Sequence, residues 1–293
     1  MRIVFIVNEA SGHGKTAWAS LERTYCGTYD VYKTKYPHHA TEIVQQLAKE
    51  HEPICIVAVG GDGTIHEVVQ GAVGQRHLIV AAFRAGSGND FARSYVAFTS
   101  VADIKAWQAH ERKSAHDIGV VNGEHFFMNN AGLGFDAYVV DLANRSKLKK
   151  WLNRIHLGKL SYVYFLVKGL LTYRTTTVEV NEQTYERVWF VTMSNQPYFG
   201  GGMKLSPHSK TDDGMLECTI VYQLSRIKLL ALFVTVFWGG HTRFREVTQL
   251  QGESFTVTTH EPMHCHVDGE AFIMKQSHVH VNSQHRSWQN AHN

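Results

Sequence analysis

Cysteine is too sparse and too scattered in this chain to staple it or to hold a metal. Cys26, Cys55, Cys218 and Cys265 lie far apart and form no CxxC pair. Zinc ribbons and disulfide frameworks need closer or more numerous cysteines, so a reducing cytoplasm is the expected compartment. Long apolar runs are also missing. The longest, Leu229 to Trp238, is broken by Thr235 and closed by Gly239-Gly240, about half of the ~20 residues that a spanning helix needs. The opening run, Met1 to Asn8, is too short for the apolar core of a signal peptide, and no small-residue cleavage site follows it. A soluble chain that meets a membrane only transiently is the expectation. Net charge is scarce as well: +3 is too little to demand a nucleic-acid partner, so any local basic patch matters more than the total. What remains, 44% hydrophobic and 19% charged over 293 residues, suits a globular chain with room for two domains.

The first part alternates strand and helix. Arg2–Val7, Ile54–Val59 and Leu78–Phe83 are short apolar runs rich in branched residues, as buried parallel strands are. Between the first two, Thr41–Glu50 sets Ile43, Val44 and Leu47 on one helical face. The pattern predicts a doubly wound α/β nucleotide-binding domain over residues 1–120. From 121 to 293 the texture changes. Val178–Val180, Val188–Met193, Leu216–Val221, Ser254–Thr259 and His278–Val281 read as strands between Gly, Asn and Asp turns. Helical stretches interrupt them around Leu160–Leu171 and Arg226–Phe237. A mostly antiparallel β-sandwich is expected there, with the last residues returning to the first domain.

Glycine is concentrated where chemistry needs it. Gly60-Gly61-Asp62-Gly63-Thr64 follows the Ile54–Val59 strand directly, and such a loop brings backbone N–H groups against an anion without interference from Cβ. Thr64-Ile65-His66-Glu67 has capping-box spacing, which predicts a helix start at Thr64 and a phosphate site at its N-terminus. Asp62 would repel phosphate unless Mg²⁺ lies between them, so the loop points to a metal-bound nucleotide. A tight turn without a ligand is the plainer alternative. Gly86-Ser87-Gly88-Asn89-Asp90 follows another strand, and two such loops at neighbouring strand ends mark the ligand-binding edge of an open sheet. The loop Asn8 to Thr16 ends like a Walker A motif, but Glu9 stands where its first glycine belongs. Gly12 to Ala17 also has dinucleotide-fingerprint spacing with Asp30 as a ribose acid, yet four residues separate it from the strand. A third basic, glycine-rich loop beside the nucleotide is the better reading.

These residues together resemble the diacylglycerol kinase catalytic domain, above all the bacterial soluble lipid kinases related to sphingosine and ceramide kinases. The resemblance runs from Asn8, Ser11-Gly12 and Gly14-Lys15 through Gly60–Thr64 with Glu67 and Gly86–Arg93. It continues through Asn129, Gly132–Asp136, Leu157–Tyr162, Gly200–Gly202, Pro207, Asp212–Leu216 and Asp268-Gly269-Glu270, almost the whole chain in order. It implies two domains with the active site in the cleft between them, ATP and Mg²⁺ as cofactors, and a membrane lipid as acceptor. It implies that Gly60, Gly61, Asp62, Gly63, Thr64, Ile65 and His66 hold the ATP phosphates, with Asn8, Ser11, Gly12, Lys15, Thr34, Glu67, Gly86, Ser87, Gly88 and Asn89 lining the same site. Glu270 would be the general base, with Asp268 and Asp62 beside it as catalytic partners. Asp213 and the carbonyls of Lys210 and Met215 would bind a structural Mg²⁺. Three positions depart from the family pattern: Arg84 replaces a usual proline, His66 a frequent asparagine, and Ser87 a threonine whose hydroxyl it keeps. The resemblance also allows a homodimer.

An extended Asp268-Gly269-Glu270 would point both carboxylates to one face; the alternative is a polar turn, for which Asp-Gly is a strong signal. Arg145 to Lys159 carries no acidic residue, and Leu148, Leu152 and Ile155 form a stripe beside Trp151. That stretch is either a peripheral membrane contact or a packed helix with a solvated basic face. His264 with His266, and His278 with His280, share strand faces and could reach zinc, though strand histidines are more often hydrogen-bonded. A kinase for a soluble acceptor, such as an NAD kinase, shares Gly60–Thr64 but gives Glu270 no role. A non-catalytic lipid- or nucleotide-binding protein would keep the fold without turnover.

Overall fold

A computed structural model describes residues 1–11, 14–84, 91–146, 158–199, 202–274 and 278–291. Its first unit is built as the apolar runs demand. Strands β1 (Arg2–Val7), β2 (Asp30–Lys33), β3 (Ile54–Gly60) and β4 (Leu78–Arg84) lie parallel in the order β4-β3-β1-β2. Alternate residues of each strand enter different cores because side chains alternate across a sheet. Val4, Ile6, Ile56 and Val80 meet Ile43, Val44, Val68 and Val69 from helices α2 (His39–Ala48) and α3 (Asp62–Ala72). Phe5, Val57 and Ile79 meet Trp18, Leu21, Ile104 and Trp107 from α1 (Gly14–Thr24) and α5 (Val101–His110). Ser100 starts α5 with a full capping box to Asp103. Between β4 and α5 lie the short helix α4 (Phe91–Ser94) and strand β5 (Ala97–Phe98), which extends the sheet beside β4.

The second unit is the expected antiparallel β-sandwich, with more strands than the sequence pattern announced. Strands β6 (Lys113–Val121), β7 (His125–Phe127) and β8 (Asn130–Gly134) precede helix α6 (Phe135–Arg145). Helix α7 (Gly158–Thr172) is followed by β9 (Thr176–Val180), β10 (Gln183–Ser194) and β11 (Leu216–Tyr222), and then by α8 (Arg226–Val236). Strands β12 (Val247–Gly252), β13 (Ser254–Thr259), β14 (Met263–Val267), β15 (Glu270–Met274) and β16 (His278–Ala291) complete the chain. The sandwich core gathers Leu133, Val178, Val191, Cys218, Val257 and Cys265. A second cluster lies beneath α6, α7 and α8.

Strand β16 is far longer than the run His278–Val281. It pairs with β13, then with β6 from Val281↔Val121 to Ala291↔Lys113, and reaches β4 at Asn290↔Val80. Its apolar alternation fades in the middle, so sequence periodicity could not follow it. Buried Asn290 makes the join: its Nδ2 donates to Val80 O at 3.1 Å and its Oδ1 accepts from Val96 N at 3.0 Å. One sheet therefore runs through both units.

Candidate active site

The carboxyl ends of β1 and β3 are tied together by Asn8. Its amide donates to Val59 O at 2.9 Å and its Nδ2 to Thr64 Oγ1 at 3.0 Å. Its Oδ1 accepts from the amides of Ala10 and Ser11 at 3.1 and 3.2 Å, an Asx turn that shapes the loop before α1. Ser11 Oγ closes the loop by donating to Asn8 O at 2.8 Å. Thr34 N donates to Val7 O, placing Thr34 at the same edge. Lys15 is exposed in the first turn of α1, while Ile65 packs into the core. Gly12, Gly86, Ser87, Gly88 and Asn89 lie outside the described residues.

Helix α3 begins at Asp62, two residues before the expected start. Gly61 is its N-cap without any side-chain cap, and the capping box does not form. Thr64 instead accepts from Asn8, and Glu67 Oε2 accepts the amide of Ala40 at 3.2 Å, at the start of α2. Thr41 Oγ1 also donates to Glu67 O. The glycine turn itself ends the strand and frees the helix to start early. A Cβ on Gly60 would lie 2.5 Å from Thr64 Oγ1, whereas one on Gly61 or Gly63 would meet nothing within 4 Å among the described residues. The first turn, without a side-chain cap, thus lies clear of the other described residues at the edge where open α/β sheets bind ligands, with the positive end of the helix dipole directed there.

Asp268 and Glu270 do not share a face. Val267 pairs with Glu270, and Asp268 and Gly269 have φ of +46° and +89°, as a two-residue type I′ hairpin requires. The turn reading is correct: it buries the Asp268 side chain and leaves Glu270 exposed, with the charge of each acting on His66. Asp268 is buried: its Oδ2 accepts from Met128 N at 2.8 Å, its Oδ1 accepts from Asn129 N and Asn130 N, each at 3.0 Å, and His66 Nδ1 lies 2.7 Å from Oδ2. Burial pushes the Asp268 carboxyl up, but the hydrogen bond and charge of His66 and the amides of Asn130 and Met128 outweigh it and hold it below its ordinary value. Burial likewise pushes His66 down, and its hydrogen bond to Asp268 with the charges of Asp268, Glu270 and Glu67 raises it overall. The two form an ion pair between α3 of the first unit and the β14–β15 hairpin of the second.

That pair sets a pH window. The raised His66 pKa adds stability that is full below 6.5, the ordinary value, and is lost as pH climbs through the folded pKa. The lowered Asp268 pKa adds stability that is present above 3.8 and lost as pH falls through its folded value. The stability difference between wild type and His66→Gln, measured by urea unfolding, is therefore expected to narrow as pH rises above neutrality. A difference that stays flat across that range would contradict the ion pair.

Glu270 opens β15 and is exposed. It faces a cleft of about 360 Å³ shared with His38, His66, Gln70, His125 and Phe272. The walls come from α3 and the start of α2 on one side, and from β7 and the β14–β15 hairpin on the other. Asp62 stands one helical turn before His66 on α3.

Asp213 is exposed and accepts the amide of Met215 at 3.0 Å, and Lys210 lies in the same loop. The loop is fastened from below by Asp117, a fully buried carboxylate that sequence reasoning missed. It accepts from Gly214 N and Arg286 N, each at 2.6 Å, and lies 2.9 Å from His285 Nδ1. Its only sequence signal is an acid at the edge of an apolar run. Asp136, the last residue of the Gly132–Asp136 motif, is a hydrogen-bonding centre. Its Oδ2 accepts from Thr192 Oγ1 at 2.9 Å and lies 3.3 Å from His266 Nε2. A Cβ on Gly132 would lie 2.0 Å from that same oxygen, which explains the glycine.

The paired histidines have other partners. His264 Nδ1 lies 3.6 Å from Asp141, while His278 and His280 bond Thr258 and Thr256 across β13. Of the basic stretch, Arg145 pairs with Asp141 at 2.7 Å, and residues 147–157 lie outside the described residues.

A phosphate-suited helix end on a parallel sheet, closed over by a sandwich that brings a carboxylate to the shared cleft, is the arrangement of a two-domain kinase. Residues 2–122 match the diacylglycerol kinase catalytic domain, and residues 129–284 match the YegS C-terminal NAD kinase beta sandwich-like domain. The chain belongs to the diacylglycerol kinase family. It is 28% identical over 285 residues to YtlR of Bacillus subtilis (strain 168), covering 91% of this chain and 92% of that one. The diacylglycerol kinase of the same organism is 30% identical over 242 residues, covering 77% of this chain and 76% of its own. A solved structure of a diacylglycerol kinase from Bacillus anthracis str. Sterne shares the fold at a TM-score of 0.69 and 19% identity, over 100% of this chain and 97% of that one.

Proposed function

We propose that the protein transfers the γ-phosphoryl group of ATP to the hydroxyl of diacylglycerol or a similar lipid, with Glu270 as the general base. The observation that carries this is the position of Glu270: an exposed carboxylate on a cleft whose opposite wall is α3, the helix that begins at the glycine turn. The first turn of α3 binds phosphate oxygens through its dipole and backbone, and Gly61 and Gly63 leave room for close approach. Asp62 fits a Mg²⁺ ion, which would supply charge neutralisation at the β- and γ-phosphates. Asn8 keeps the β1 loop against Thr64 so that Lys15 borders the same space. Glu270 takes the hydroxyl proton as the new P–O bond forms. Asp268 acts at one remove, holding the hairpin that carries Glu270 against α3. Its lowered pKa and filled acceptor sites make it a poor base.

The lipid reading draws on the sandwich. A narrow apolar seam of about 20 Å³ runs beneath α7 and α8, lined by Phe135, Leu166, Phe190, Phe199 and Phe233, with Asp136 the one charged residue among its described lining. The loop of Lys210, Asp213 and Met215 fits a second, structural Mg²⁺, because an exposed carboxylate lies within a turn already fastened by Asp117. Gly60→Ala is expected to displace Thr64 and weaken ATP binding roughly tenfold, or ~1.4 kcal/mol, read by isothermal titration. Unchanged affinity would remove the glycine turn from the nucleotide site. The transfer itself is tested by incubating the protein with labelled Mg²⁺-ATP and diacylglycerol, with NAD as the soluble acceptor control. Label on NAD alone would replace the lipid reading.

A further inference from the structure

The apolar run Leu229–Trp238, too short to span a membrane, forms a helix that is apolar on both sides. Leu229, Leu232 and Val236 of α8 are buried in the core beneath it. The outward face is also apolar. Ile227 is 82% exposed, Val234 60%, Phe237 60% and Trp238 64%, with Leu230 between them. Side chains at this spacing share one face of a helix, and large exposed apolar faces mark interaction sites. Helix α7, which covers the same core cluster, adds Tyr164, Val167 and Leu171 on one face, with Leu171 69% exposed. The helices adjoin where Arg226 Nε donates to Leu170 O at 2.7 Å and Arg226 Nη2 to Tyr173 O at 3.3 Å.

At that junction lies a cleft of about 520 Å³ lined by Arg174, Arg187, Arg226, Tyr173, Trp189 and Ile227, with no carboxylate among its lining residues. Arg174 and Arg187 are exposed, and their guanidinium groups make no hydrogen bond or ion pair among the described residues; the backbone carbonyl of Arg187 is engaged, accepting from Gln223 N at 3.0 Å. Lys168 and Lys228 add charge along the rim, and Lys228 neutralises the nearby Glu246 at 2.5 Å. An apolar ridge beside unpaired arginines matches a bilayer, which presents anionic phosphates next to an apolar interior. A second copy of this chain would meet the same arginines like against like.

We propose that α7, α8 and the Arg174–Arg187–Arg226 cleft form a docking surface for anionic phospholipid bilayers, with the arginines taking lipid phosphates and Phe237 and Trp238 entering the interface. The side chains it draws on, from Tyr164 onward, follow the stretch Arg145–Lys159 in sequence, and its two helices cover the apolar seam. Its purpose rests on the lipid-kinase reading; its measurement does not.

The test is co-sedimentation, without nucleotide, with vesicles of phosphatidylcholine alone or mixed with phosphatidylglycerol. Wild type is expected to sediment with the mixed vesicles and to be released by salt. Arg174→Glu with Arg187→Glu is expected to lower partitioning roughly tenfold or more, at ~1 kcal/mol for each basic residue near the surface. Phe237→Glu with Trp238→Glu should do the same, and both pairs should unfold at the wild-type temperature because the changed side chains are exposed. Glu270→Gln should sediment like wild type, so a failed kinase reaction with intact docking strikes only the kinase reading. Equal sedimentation of all variants, or no wild-type binding to mixed vesicles, would overturn the docking surface. So would a dimer that Phe237→Glu dissociates, which assigns the face to a second copy.

Discussion

Glu270→Gln is expected to lower lipid phosphorylation by about 10²–10⁴-fold, the usual contribution of a positioned general base. Phosphoryl transfer depends mainly on alignment and charge neutralisation, which the proposed function assigns to α3 with its glycine turn and not to Glu270. The acceptor hydroxyl still needs somewhere to send its proton, and Glu270 is the exposed carboxylate that the second unit brings to the cleft. ATP affinity should stay unchanged, since the proposal sets the nucleotide against the opposite wall. The folding midpoint should also hold, because the side chain is exposed and glutamine keeps its shape. The effect is read as kcat at saturating ATP. A loss smaller than roughly tenfold would place the base elsewhere.

Asp268→Ala should act on the fold before it acts on the chemistry. The carboxylate satisfies three consecutive amides and a buried histidine. Its removal leaves those donors without a partner and His66 without its counter-ion. Breaking a buried pair from one side costs about 3–5 kcal/mol, and the hairpin carrying Glu270 loses its anchor to α3. Asp268→Asn removes the charge but keeps an acceptor, so it should cost less. His66 can then turn neutral. Chemical unfolding measures both. If Asp268→Ala unfolds like wild type while abolishing transfer, Asp268 belongs to the chemistry itself.

The first unit was largely legible in the sequence because parallel strands buried on both faces are continuous apolar runs, and β1, β3 and β4 are such runs. The glycine turn at Gly60–Gly63 was legible for a related reason: few residues other than glycine allow that approach. Helix α3's start was misread because Thr64 and Glu67 have capping-box spacing but are used by Asn8 and Ala40, partners 56 and 27 positions away. The Asp268-Gly269 pair showed a turn in its own chemistry, yet the extended alternative set two carboxylates side by side where the hairpin buries one and leaves the other exposed. Strands β6 to β8 escaped notice because their polar residues, Asp117 and Asn130 among them, are satisfied by distant chain segments. No local period records a carboxylate that binds the amide of Arg286, 169 positions away. The apolar face of α8 was visible only as a run too short to span a membrane; that it remained uncovered required the fold.

The most direct measurement is transfer of label from γ-labelled ATP, with Mg²⁺, to diacylglycerol in mixed micelles, run beside Asp62→Ala and Glu270→Gln. Label on the lipid with wild type, lost with both variants, is the predicted result. ATP that binds while no lipid is labelled would contradict lipid phosphorylation, and a protein that binds no ATP would contradict the nucleotide site built on Gly60–Thr64.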